Sequence, residues 1–185
     1  MIDVNQLRKG TTFTRDGELY KVLNYTHTKP GRGAATIRVT VRNLRSGSTT
    51  EMTFSSGQRV EDVRVEHREV EFLYEEGDFL TFMDLETYEQ PQMRRDVFDD
   101  DVLFLKPNLS LKLSSYEGEI IDYELPSTID CEVTDSEVAV AGDTANNPTK
   151  LVKVETGLRV KVPLFVEVGD TIRIKTEDGS YLTRV

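Results

Sequence analysis

The stretch His27-Thr-Lys-Pro-Gly-Arg-Gly-Ala-Ala-Thr36 connects two runs of residues, Leu19 to Thr26 and Ala35 to Asn43, that are rich in β-branched and aromatic side chains. The rough alternation in both runs predicts two strands, and the turn residues between them predict the tip of a hairpin. Arg32 lies at the apex of this predicted hairpin. We interpret the first 65 residues, which contain it, as a small β barrel.

Two glycines and a proline shape the predicted tip. Gly31 and Gly33 flank Arg32, and because glycine adopts positive φ at no steric cost, the backbone can turn sharply on both sides of the arginine. Pro30 stiffens the approach. The same residues are also typical of an ordinary turn that carries a solvated arginine.

Acidic residues are missing from the sequence around the hairpin. The 32 residues between Glu18 and Glu51 contain no Asp or Glu, although 33 acids in 185 residues predict about 5.7 there. The same window holds six basic residues: Lys21, Lys29, Arg32, Arg38, Arg42 and Arg45. A basic hairpin without acidic residues, in a protein of net charge −10, indicates a polyanionic partner such as RNA.

One face of the second strand continues the basic surface. Apolar and polar residues alternate from 37 to 42, which predicts a core face and a face that presents Arg38 and Arg42. The cations that we expect to face RNA are Lys29, Arg32, Arg38, Arg42 and Arg45. The strand face of Lys21 is ambiguous.

Length and composition favour several small units. A chain of 185 residues with 37% hydrophobic content can bury a core, and turn signals recur roughly every ten residues. We expect three all-β units, residues 1–65, 66–127 and 128–185. Residues 1–65 carry 11 basic and 6 acidic groups, residues 66–127 carry 5 basic and 17 acidic groups, and residues 128–185 carry 7 basic and 10 acidic groups. Charges more than about 8 to 10 Å apart are screened at physiological salt, so the basic first unit can contact RNA despite the acidic second unit.

The second and third units contain further predicted elements. Val97 to Leu105 predicts a short helix that ends at Lys106-Pro107. The run Asp99-Asp-Asp101 favours a helix start over a metal site, because consecutive acids rarely converge on one ion. From Thr128 on, five short strands are typical of a barrel of the oligonucleotide-binding type, with a polar loop from Ala141 to Pro148.

Several kinds of function have no support in the sequence. No Gly-x-Ser-x-Gly, His-Glu-x-x-His, Cys-x-x-Cys or Gly-x-x-x-x-Gly-Lys-Ser/Thr pattern occurs, so we expect no enzyme, cofactor or metal. His27 is interpreted as a structural or RNA-contacting residue, and Cys131 as a small buried hydrophobe. No apolar run is long enough to cross a membrane and Met1-Ile-Asp-Val-Asn5 lacks the regions of a signal peptide, so we expect a cytoplasmic protein.

Four segments follow, in order, the pattern of one known family. They are Lys29-Pro-Gly-Arg-Gly33, Phe82-Met-Asp-Leu-Glu-Thr-Tyr-Glu-Gln90, Thr156-Gly157 with Val160-Lys-Val-Pro-Leu-Phe-Val166, and Asp178-Gly-Ser-Tyr-Leu-Thr-Arg184. On these segments the chain resembles bacterial elongation factor P over essentially its whole length. One segment departs from the pattern, since the family usually has Lys-Pro-Ala-Thr where this chain has Lys150-Leu-Val-Lys153.

The resemblance implies an all-β, L-shaped molecule of three small barrels, similar in outline to tRNA. An SH3-like barrel of KOW type would come first and two barrels of OB type would follow. The resemblance further implies a monomeric, non-enzymatic translation factor that binds the ribosome between the peptidyl and exit sites. The loop formed by Lys29, Pro30, Gly31, Arg32 and Gly33 would reach the acceptor end of the peptidyl tRNA and relieve stalling at consecutive prolines.

The resemblance leaves the chemical state of Arg32 open. Many family members carry a β-lysylated lysine at this position, a modification that an arginine excludes. In another branch a modifying enzyme rhamnosylates the arginine, but that loop tends to read Ser-Gly-Arg-Asn, whereas this one reads Pro30-Gly-Arg-Gly33.

Alternatives to a true elongation factor P stay open. The elongation factor P-like paralogue shares Arg-Gly-Ala-Ala-Thr, here Arg32 to Thr36, but lacks Lys-Pro-Gly. A general RNA-binding chaperone would also use barrels and a basic face, although its usual aromatic stacking platform is missing from the basic strands. An enzyme that uses the third barrel is the remaining alternative.

Overall fold

The computed structural model describes residues 1–138 and 148–185, which fold almost entirely into strands. The strands are β1 (Ile2–Asp3), β2 (Thr12–Arg15), β3 (Glu18–Thr28), β4 (Thr36–Asn43), β5 (Thr49–Ser55), β6 (Arg59–Asp62), β7 (Glu66–Glu76), β8 (Phe79–Asp84), β9 (Gln92–Arg94), β10 (Ser110–Tyr116), β11 (Glu119–Glu124), β12 (Thr128–Ser136), β13 (Thr149–Val154), β14 (Arg159–Pro163), β15 (Thr171–Lys175) and β16 (Tyr181–Arg184). The helical elements are α1 (Arg95–Phe98) and two 3-10 helices, Val4–Gln6 and Asp99–Phe104.

The chain divides into two compact units. The first contains Met1–Arg68 and Leu113–Tyr123, and the second contains Glu69–Lys112 and Glu124–Val185. The boundaries expected from the sequence, at residues 65 and 127, therefore stay a prediction.

The first sheet has six strands in the order β1-β6-β2-β3-β4-β5. The hairpin of β3 and β4 is paired from Tyr20 opposite Asn43 to Thr28 opposite Thr36. Its inward side chains belong to a core formed by Val4, Leu7, Phe13, Val22, Ile37, Val39, Val41, Phe54 and Val60. Because burying such a side chain contributes about 1.5–3 kcal/mol, the alternation in β4 decides which face of the hairpin remains in solvent.

The second sheet has the strand order β11-β10-β7-β8-β9. Its core contains an aromatic stack in which Phe82 lies between Phe72 and Phe98, with ring centroids 5.7 Å apart in both pairs. Phe98 is supplied by α1, which explains why a helical turn is kept in an otherwise all-β unit.

The third sheet has the strand order β14-β13-β12-β15-β16. The buried residues of its strands alternate along the sequence, as in Ile129, Cys131 and Val133 of β12. Phe104, the last residue of the second 3-10 helix, packs in the same core cluster. An aromatic residue from outside the five strands therefore completes the core of the third barrel.

The structure confirms the all-β fold class predicted from the sequence. Asp16 and Gly17 join β2 to β3 with φ of 54° and 79°, as a two-residue hairpin with two left-handed positions requires. The helix expected from Val97 to Leu105 begins two residues earlier, at Arg95. It changes to a 3-10 helix at Asp99, whose φ is 47°.

The predicted polar loop from Ala141 to Pro148 lies, except for Pro148, outside the described residues.

Candidate nucleic-acid interface

The hairpin predicted around Arg32 is present. β3 ends at Thr28 and β4 begins at Thr36, which leaves a loop of the seven residues 29–35. The last paired positions before the loop are His27 opposite Ile37 and Thr28 opposite Thr36. Two long paired strands therefore support the loop, and His27 is exposed at the end of β3.

Gly33 gives the loop its left-handed residue. Its φ is 118°, a conformation that residues with a side chain rarely adopt. A Cβ added there would meet Pro30 Cγ only at 3.9 Å, so the backbone conformation and not crowding requires the glycine. Gly31 has no positive φ. The chain bends at all three residues from Gly31 to Gly33, and of the two glycines only Gly33 uses a left-handed conformation to do so.

The two cations of the loop, Lys29 and Arg32, are exposed. Within the described ranges neither side chain forms an ion pair, in keeping with the acid-free sequence on both sides of the loop. A guanidinium without a carboxylate partner can bridge phosphates or stack on a base, and it stays charged at any physiological pH.

The outward face of β4 presents two further arginines. The apolar residues of this strand are fully buried, whereas Arg38 is exposed and Arg42 is half-buried on the opposite face. Nε of Arg38 lies 3.2 Å from Oε1 of Glu51, the acid that ends the acid-free window. Arg42 forms no ion pair among the residues that the structure describes.

Lys21 and Arg45 contact carboxylates of the hairpin made by β10 and β11. Nζ of Lys21 donates to Oδ2 of Asp122, and Nη2 of Arg45 lies 3.7 Å from Oε2 of Glu119. Sequence reasoning missed both carboxylates. Lys21 and Asp122 are 101 positions apart, and no local pattern signals a pairing over that distance.

Arg8 is another cation of the first barrel that sequence reasoning did not single out. Its guanidinium lies 5.3 Å from the centre of the Tyr25 ring. Its Nη1 donates to the carbonyl oxygens of Asn5 at 2.9 Å and Leu7 at 2.7 Å. These contacts tie the end of the first 3-10 helix to β3, which makes Arg8 a structural residue.

The rest of the described chain offers little other chemistry. No group of three His, Cys, Asp or Glu side chains in residues 1–138 and 148–185 could hold a metal ion. The run Asp99-Asp-Asp101 forms the first turn of the second 3-10 helix. No helix in the same ranges is long and apolar enough to span a membrane. The hairpin and its cations are thus the candidate site, and what they can do is bind and orient a polyanion.

The fold and the site define a class of protein, namely a set of small β barrels whose first barrel presents an arginine-tipped basic hairpin. Family models match three consecutive parts of the chain. They are the elongation factor P KOW-like domain over residues 3–60, the elongation factor P OB domain over residues 65–123, and the elongation factor P C-terminal domain over residues 129–184. The chain therefore belongs to the elongation factor P family, a family of translation elongation factors.

Solved structures show a related fold. Eukaryotic translation initiation factor 5A from Methanococcus jannaschii is 22% identical, with 67% of this chain and 93% of that chain covered and a TM-score of 0.52. A translation initiation factor eIF-5A family protein from Naegleria fowleri is 16% identical over 67% of this chain and 96% of that chain, with a TM-score of 0.41. The first likeness is one of fold, and the second is too distant to support an argument.

Proposed function

We propose that this protein binds the ribosome between the peptidyl and exit tRNA sites and stimulates peptide-bond formation at consecutive prolines. The Arg32 loop contacts the acceptor end of the peptidyl tRNA and holds it in a reactive orientation. The protein acts in the cytoplasm, as a monomer and without a cofactor. The observation that carries the proposal is Arg32 itself, an exposed guanidinium at the tip of a long hairpin with no ion pair in the described part of the chain.

Positioning of the peptidyl tRNA alone can account for the proposed stimulation of peptide-bond formation. Proline is a poor acceptor and its peptidyl tRNA is easily misplaced, so the slow step is sensitive to orientation. Correct orientation of two reactants can be worth roughly 7 kcal/mol or more. A contact made only in the reactive geometry raises the rate of bond formation without chemistry by the protein.

Affinity and positioning are supplied by different residues in this proposal. Lys29, Arg38 and Arg42 contact phosphates and contribute a salt-dependent part of the binding free energy. Arg32 contributes less to affinity, because it is one cation among several, and more to the reactive geometry.

Arg32 works unmodified in this proposal, because Pro30 and Gly33 already shape the tip. An intact-mass spectrum of the natively expressed protein tests this point. The expected mass is that of the unmodified chain, and an excess of one deoxyhexose on the loop peptide would show that a modifying enzyme acts on Arg32.

The proposal is tested with purified ribosomes that translate a reporter containing consecutive prolines. Added protein should restore full-length synthesis from this reporter and leave a matched reporter without prolines unchanged. A general RNA chaperone would instead bind arbitrary single-stranded RNA tightly in the absence of ribosomes. Tight binding of that kind, together with no effect specific to prolines, would contradict the proposal.

A further inference from the structure

We infer that Lys21 and Arg45 latch the β10–β11 hairpin onto the first barrel and are not RNA contacts. The hairpin segment Leu113–Tyr123 and the barrel belong to one compact unit. The inference deepens the proposed function, on which its binding measurement rests, because it decides which cations of the basic face are available to RNA.

The first part of the latch is the ion pair of Lys21 and Asp122. Lys21 lies directly opposite Arg42 in the register of β3 and β4, so both side chains share one face of the sheet. Like charges directly opposite each other destabilise a strand pair. Asp122 offsets this repulsion at Lys21 and leaves Arg42 unpaired within the described ranges.

Burial makes this pair stronger than an ordinary surface pair. The side chains of Lys21 and Asp122 are 32% and 20% exposed, which limits screening by water and salt. Removing either partner would leave the other charge partly buried without its counterion. RNA would therefore have to compete with a well-placed carboxylate for Lys21.

The second part of the latch is Arg45. Its guanidinium donates from Nη1 to the carbonyl oxygen of Gly17 at 3.3 Å, and its Nη2 lies 3.7 Å from Glu119. Arg45 and Glu119 are 45% and 59% exposed, so the ion pair alone is worth less than about 1 kcal/mol. The contribution of Arg45 is to join the β2–β3 turn to the tip of the β10–β11 hairpin.

A histidine contact holds the same hairpin within its own sheet, where β10 lies next to β7. Nδ1 of His67 lies 3.0 Å from Oγ of Ser114, a residue that is almost fully buried. This contact joins β7 to β10 within the second sheet, so the latch to the first barrel rests on the two ion pairs near β11. The cations that remain available to RNA are Lys29, Arg32 and Arg42. Arg38 becomes available when a phosphate group replaces Glu51 as its partner.

Hydrogen exchange of the full-length protein tests the latch without ribosomes. Lys21→Ala and the isosteric Asp122→Asn should each speed exchange of the backbone amides in 113–123 several-fold. The control Arg42→Ala, which removes a cation from the same face, should leave this exchange unchanged. The charge swap Lys21→Asp with Asp122→Lys should restore protection. The latch would be overturned if both single variants exchanged as slowly as the parent protein. It would also be overturned if both single variants exchanged faster than the parent and the charge swap did not slow the exchange again.

Salt dependence of binding to purified ribosomes tests which cations contact RNA. Arg42→Ala should reduce the slope of log affinity against log salt by about one unit, as expected for a lost phosphate contact. Lys21→Ala and Arg45→Ala should keep the parent slope. A drop of about one unit in either variant would overturn the assignment. If the parent protein did not bind ribosomes at all, the proposed function would fail, and the exchange experiment would still decide the latch.

Discussion

Arg38 and Glu51 form an ion pair between β4 and β5, with 3.2 Å between Nε and Oε1. The two side chains are 60% and 56% exposed, and such pairs are worth at most about 1 kcal/mol. A phosphate group can therefore take the place of Glu51 at little cost. Without a bound phosphate, the ion pair holds the side chain of Arg38 on the solvent-exposed face of β4.

Removing the charge of Glu51 should strengthen binding to ribosomes. Glu51→Gln frees Arg38 and makes the basic face more positive, so we expect the dissociation constant to fall by roughly two- to five-fold, which corresponds to about 0.5–1 kcal/mol. The measurement is a titration of purified ribosomes at fixed salt. Glu86→Gln, the same charge change on an exposed turn of the second unit, serves as the control. Equal effects in both variants would show that only net charge matters.

The arginines of β4 should account for much of the salt dependence of binding. Loss of both Arg38 and Arg42 should reduce the slope of log affinity against log salt by about two units, since each lost phosphate contact removes about 0.9. A control variant with Lys9→Ala and Arg59→Ala removes two cations outside the hairpin and should leave the slope unchanged. The same slope in the arginine variant and the parent would contradict the proposed face.

The ion pair of Asp130 and Arg173 should make the stability of the third barrel depend on pH. The two residues are directly opposite in β12 and β15, with 2.7 Å from Nε to Oδ1 and 2.8 Å from Nη2 to Oδ2. Hydrogen bonds from Arg173 hold the pKa of Asp130 below its usual value. The stabilisation is therefore complete above the unfolded pKa of about 3.9, and it is lost as the pH falls through the lowered folded pKa.

Thermal unfolding of the parent and Asp130→Asn tests this dependence. At pH 7 the variant should be less stable by no more than about 1 kcal/mol, because both side chains are more than a third exposed. Below pH 4 the difference between the two midpoints should shrink. A difference that stays constant from pH 7 to pH 2.5 would contradict the assignment.

Cys131 should be inert in the folded protein. Its side chain is fully buried in the core of the third barrel, and burial raises the pKa of the thiol to about 11. A thiol-specific disulfide reagent at pH 8 should therefore label the protein in denaturant within minutes and leave the folded protein unlabelled over the same time. Rapid labelling of the folded protein would show that this core opens.

Local patterns in the sequence were enough to predict the hairpin. The alternation of β4 and the turn around Arg32 depend on side-chain period and glycine stereochemistry, which act within a few residues. The face of the strand on which Lys21 lies could not be predicted from the alternation of side chains. A register shift between Val22 and Asn24 breaks the alternation of β3 and places Lys21 beside Arg42.

Sequence patterns could not predict contacts between segments that are distant along the chain. Asp122 pairs with Lys21, and Phe104 enters the core of the third barrel, although neither residue lies in the sequence segment that it stabilises. Such contacts are specified by the tertiary packing of whole barrels. The residue at the apex of a hairpin, by contrast, is specified by its immediate neighbours.

In the proposed function, Arg32 serves the reactive geometry more than affinity or folding. Arg32→Ala should leave the unfolding temperature nearly unchanged, because an exposed side chain contributes within about 0.5 kcal/mol. Ribosome affinity should fall only modestly, since Lys29 and Arg42 remain. Arg32→Lys should be intermediate in activity, because lysine keeps the charge but lacks the planar fork.

The most direct measurement is the rate of peptide-bond formation at consecutive prolines with a saturating concentration of factor, compared with a reporter that lacks prolines. Saturation removes differences in affinity, so the comparison reports on the reactive geometry. We predict that Arg32→Ala loses most of the stimulation at prolines and leaves the other reporter unchanged. If Arg32→Ala relieves the stall as well as the parent protein does, Arg32 is a solvated turn residue and the account is wrong.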